Sequence, residues 1–156
     1  MVRAKSRRKP FELVLDEDKS RPEAERTTFL IRQYTPRQLA EASDLMLSFA
    51  PMLEMQEQAP EGIDEESLSL HVAKEAVDSG FTMAQMVDEV TRVFRLAVCG
   101  WRNYKDDDDQ DIEYRTDDGG LVAQELIDEF FTLDEMVEIG VGGTQLNKVG
   151  GTDRKK

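Results

Sequence analysis

Apolar positions fall along this chain in two periods. Phe11, Leu13 and Leu15 alternate with polar residues, and Thr27-Thr28-Phe29-Leu30-Ile31-Arg32-Gln33 has the length and content of a second strand. The intervening residues 16–26 are polar and include Pro22, so an antiparallel pair joined by a long exposed excursion is expected. From Thr35 the period becomes helical. Thr35-Pro36-Arg37-Gln38 supplies an N-cap, a proline at the first helical position and a capping-box glutamine. Leu39, Ala42, Leu45, Met46 and Phe49 follow at helical spacing, and Pro51 is expected to stop or kink this helix. Asp64 can cap another helix, whose stripe Leu68, Val72, Ala76 and Val77 runs to Gly80.

Thr82 and Gln85 open the most apolar helix, with Met83, Met86, Val87, Val90, Val93, Phe94, Ala97 and Val98 on one broad face. Gly100 reads as its C-terminal cap. Ile112-Glu113-Tyr114 is a short strand or an extended link, and Leu121 to Phe131 reads as a helix. Thr132 and Glu135 form a third capping box, opening a short helix from Leu133 to Ile139. Gly140, Gly142 and Gly143 are expected to end it. The expected fold is therefore α+β and mainly α, with an N-terminal antiparallel β-pair followed by a bundle of four or five helices. Residues 1–9 read as a basic disordered arm, 10–140 as a single domain, and 141–156 as a Gly-rich disordered tail.

Charge sharpens this division. The 156 residues carry a net charge of −13, but residues 1–9 hold +5 and residues 152–156 hold +2, which leaves −20 between them. A body that acidic disfavours nucleic acid and favours basic partner surfaces. No apolar run approaches the ~20 residues of a membrane span, so no membrane role is expected. The single Cys99 excludes an intramolecular disulfide and any multi-cysteine metal site, and points to an intracellular compartment.

Candidate chemistry is sparse. The only tryptophan, Trp101, closes the apolar helical pattern, and eight acidic side chains follow between Asp106 and Asp118. Ionised carboxylates stay wet unless paired or metal-bound, so this stretch is an exposed surface suited to binding. A calcium loop needs glycine at its sixth position; counting from Asp106 that place holds Asp111, and counting from Asp107 it holds Ile112. A solvated turn is the expectation, with no metal and no cofactor. His71 borders an apolar stripe and reads as structural. Cys99 lies in an apolar setting that makes a thiol inert. Gly140-Val141-Gly142-Gly143 lacks the lysine and Ser/Thr of a phosphate loop. No enzyme is expected. The methionines suit either ordinary core gaps or surfaces that repack on partners. Met52, Leu53 and Met55, set between Pro51 and Pro60, are the best candidates for an exposed apolar patch. Together with Trp101, Asp106, Asp107, Asp108 and Asp109 they form the expected partner-binding set.

The order of these features resembles a known group. A strand with Phe11-Glu12-Leu13 leads to the acidic excursion Asp16-Glu17-Asp18-Lys19 and a second strand, Thr28-Phe29-Leu30-Ile31-Arg32. Leu96-Ala97-Val98-Cys99-Gly100-Trp101-Arg102-Asn103-Tyr104, an Asp-rich turn and a final helix pair follow. This arrangement is similar to the tail assembly chaperone-like accessory proteins of tailed bacteriophages, most of all in the Gly-Trp-x-Asn-aromatic segment and the acidic turn after it. It departs from that pattern at Asp109-Gln110, where a glycine is expected. The resemblance implies a non-enzymatic protein that acts in the host cytoplasm and shields the aggregation-prone tape measure protein until tail-tube subunits displace it. The other readings are a structural head–tail, neck or tail component kept in the virion, and a small acidic protein that binds a basic host partner.

Overall fold

The computed structural model describes residues 9–57 and 82–153. Three strands, β1 (Phe11–Leu13), β2 (Thr28–Ile31) and β3 (Val98–Arg102), form one antiparallel sheet in that order. Four α-helices are seen among the described residues: α1 (Pro36–Glu57), α2 (Met83–Ala97), α3 (Gln124–Phe130) and α4 (Leu133–Asp153). The fold is α+β and mainly helical. β1 and β2 pair as Phe11↔Ile31 and Leu13↔Phe29, but the pair is completed by β3, a strand that the sequence pattern hides. The helices pack on this sheet as well as on one another. The stripe at 65–79, with His71, lies outside the described residues, as do residues 1–8 of the basic arm.

All three capping boxes form. Thr35 Oγ1 accepts from the Gln38 N–H while Gln38 Oε1 accepts from the Thr35 N–H, and Thr82/Gln85 and Thr132/Glu135 repeat the exchange. Helix ends are less faithful to pattern. α1 runs through Pro51 to Glu57 and is not stopped there. α2 ends at Ala97 without a glycine: Val98 turns extended, with φ −82° and ψ 127°, and starts β3 directly. Gly100 is therefore a strand residue rather than a cap. Its missing side chain leaves room for Leu30, whose Cδ1 would lie 3.1 Å from a Cβ placed there. Cys99 is passed over in the ladder, since Leu30 pairs with Gly100 and Ile31 with Val98.

The largest departure is at the C-terminus. Residues 141–153 are not a disordered tail; they continue α4, which passes through Gly140, Gly142 and Gly143. None of these three glycines has a positive φ. They are the contact face: a Cβ on Gly140 would meet Val93 Cγ1 at 2.9 Å, and one on Gly143 would meet Ala97 and Ile31 at 3.1 Å. Each glycine costs the helix about 1 kcal/mol of propensity relative to alanine. Close packing against α2 and the sheet outweighs that cost. Asn147 then ties α4 to the end of β2. Its side chain accepts from the Tyr34 N–H at 2.7 Å and donates to the Arg32 carbonyl at 2.9 Å.

The core lies between the sheet and α2, α3 and α4. Phe29, Ile31, Met86, Val90, Val93, Phe94, Val98, Val122 and Ile139 are its buried centre. α2 is the central helix, as its broad apolar face requires.

Candidate functional site

β3 leads into two consecutive tight turns of the same design. In the first, Asp106 Oδ1 accepts from the Asp108 and Gln110 N–H groups, both at 2.9 Å. The Asp109 N–H returns to the Asp106 carbonyl, and the Asp106 N–H donates to the Gln110 carbonyl. In the second, Asp117 Oδ1 accepts from the Gly119 and Leu121 N–H groups, the Gly120 N–H returns to the Asp117 carbonyl, and the Asp117 N–H donates to the Leu121 carbonyl. Lys105↔Asp111 and Thr116↔Val122 are the closing bridges. Every element of the first turn recurs eleven residues later. The left-handed position is Asp109, at φ 61°, in the first turn and Gly120, at φ 77°, in the second. The glycine expected at Asp109-Gln110 is thus a backbone requirement, met here by an aspartate that tolerates the conformation. Ile112-Glu113-Tyr114 is the link between the two turns and not a strand.

The residues that carry the resemblance build this region from inside. Trp101 stands opposite Phe29 in the sheet, packs edge-on against Phe29, Tyr104 and Tyr114, and donates its indole N–H to the Ile112 carbonyl at 2.6 Å. Asn103, left-handed at φ 57°, donates to the carbonyls of Ala24 and Arg26 and so holds the excursion after β1 against the sheet. The Tyr104 hydroxyl donates to the Phe130 carbonyl at 2.9 Å. Trp101 is half-buried and its N–H is spent internally; its role in this structure is to anchor the turns.

The excursion is ordered as well as acidic. Asp18 is buried, accepts from the Thr27 N–H and pairs with Arg21, while Glu138 of α4 accepts from the Asp16 N–H at 2.8 Å. Its outer side faces the first turn across a groove of about 800 Å³. Glu17, Asp18 and Glu25 line it from the excursion, Asp106, Asp107 and Asp109 from the turn, and Glu135 from α4. Two cations also line it, and both are engaged: Arg21 with Asp18 at 3.4 Å, and Lys105 with Asp109 and Asp111 at 3.9 and 3.7 Å. Leu15 and Phe29, both buried, and the half-buried Tyr104 ring lie at the base of the groove. Burial pushes the Glu135 carboxyl above its ordinary value; its bonds to Thr132 pull it back, and the charges of Glu17 and Glu138 push it up again. Burial likewise raises the Tyr104 hydroxyl, with Glu135 and Glu17 adding to the effect. Seven carboxylates against two cations leave the groove lining with an excess of negative charge.

Of the expected binding aspartates, Asp106, Asp107 and Asp109 face this groove and Asp108 does not line it. Trp101 also lies off its lining. The side chains of Met52, Leu53 and Met55 lie outside those described. Sequence reasoning did not bring Glu17, Glu25 and Glu135 to the turn, because only the tertiary fold joins three acidic segments so far apart in the chain. Among the described residues there is no group of three or more His, Cys, Asp or Glu side chains placed to hold a metal ion, and no helix long and apolar enough to cross a membrane. The Cys99 thiol is half-buried, and burial raises its pKa. Comparison of the chain with protein-family models, with characterised proteins and with solved structures finds no match.

Proposed function

We propose that this protein is a non-enzymatic assembly chaperone of the phage-tail kind, which holds a cationic segment of a tail component in its acidic groove until assembly proceeds. The observation that carries the binding part of this reading is the groove itself. Seven carboxylates from three chain segments line it, against two cations that are already paired. Such a surface suits a peptide or helix end bearing lysine or arginine. The tail-assembly part rests on the resemblance of the Gly100–Tyr104 segment and the turn after it. On this reading the protein works in the host cytoplasm, its partners are the tape measure and tail-tube proteins, and Met52, Leu53 and Met55 add apolar contact. The same groove also favours a basic host protein as the partner, which is the second reading.

Co-expression with the tape measure and tail-tube proteins of the same phage, followed by capture, tests the proposal. Retention of either one, lost on combined Glu17→Gln, Glu25→Gln and Asp107→Asn substitution, is the expected result. If neither is captured and the protein is stoichiometric in finished particles, it is a retained virion component instead.

A further inference from the structure

We draw no further inference here: the strongest candidate, the groove beside α2 and α3 where Val87 and Phe131 lie among charged residues such as Arg92 and Asp128, is an unpartnered mixed surface, and nothing in the structure shows what covers it.

Discussion

Asp109 and Gly120 occupy equivalent places in the two turns, and the comparison is a natural experiment on a single backbone position. A left-handed conformation costs an L-residue roughly 1–2 kcal/mol, less for aspartate, while glycine gives back part of that gain through its freer unfolded chain. Asp109→Gly is therefore expected to stabilise the fold by about 0.5–1 kcal/mol, read as a higher urea midpoint with an unchanged slope. The lost contact with Lys105 is long and exposed, and such pairs contribute little. Tyr34 makes a second test at this scale. Burial raises its hydroxyl to about 12, with Thr144 and Arg32 pulling the other way. A raised folded value means that its stabilising contribution is complete below the unfolded value of about 10 and is lost as pH climbs from there through 12. Stability measured across pH 9 to 12 should fall, and Tyr34→Phe should flatten the fall in part, since Tyr104 is shifted in the same direction. An unaltered profile in the variant would assign the alkaline loss elsewhere. The capping threonines were legible at this scale because capping is local chemistry. Gly100 was not, because its reason for being glycine is Leu30 on the neighbouring strand.

Elements were legible where one period ran without interruption. α2 shows this, with Val90, Val93, Phe94 and Ala97 all buried. β3 was hidden because its Val98 and Cys99 extend the apolar run of the helix before it, and nothing local marks the change of period. α4 was cut short for the opposite reason. Gly140, Gly142 and Gly143 carry a helix-ending signal, and only the surfaces of α2, β1 and β2 reveal them as a close-packing face. This makes a graded prediction. Gly140→Ala would drive a methyl into Val93 beside the α2 backbone, and overpacking of this kind costs about 1–3 kcal/mol, more than the ~1 kcal/mol of helix propensity gained. Gly142→Ala would meet the flexible end of Leu13 at 3.2 Å, and its propensity gain should offset most of the cost. Thermal unfolding of the two variants should therefore differ, with Gly140→Ala clearly the less stable. Equal melting temperatures would mean that α4 does not pack through this face.

For the whole molecule the question is whether the acidic groove acts as a place or merely shares in a general field. A net charge of −13 attracts any cationic partner over roughly a Debye length, so weak salt-sensitive binding alone proves little. Position decides it. Glu17, Glu25 and Asp107 line the groove, whereas Asp108 belongs to the same turn and does not. Neutralising the three groove residues should weaken capture of a lysine- or arginine-bearing partner by about 1–2 kcal/mol, or roughly 5–30-fold in Kd, at a few tenths to one kcal/mol for each exposed contact. Asp108→Asn should leave the Kd unchanged, as a charge outside the site does, whereas an equal share of the triple effect would be roughly 1.7–3-fold. Because Glu17 adds to the charge that pushes the Glu135 carboxyl up in the free protein, and none of the three side chains is buried in the core, their replacement should leave the urea midpoint level or raised, so that lost binding is not lost folding. Titration calorimetry of both variants at two salt concentrations makes the measurement. Equal weakening by Asp108→Asn, charge for charge, would show that the partner senses the molecule's overall field, and the groove would lose its claim to be the docking site.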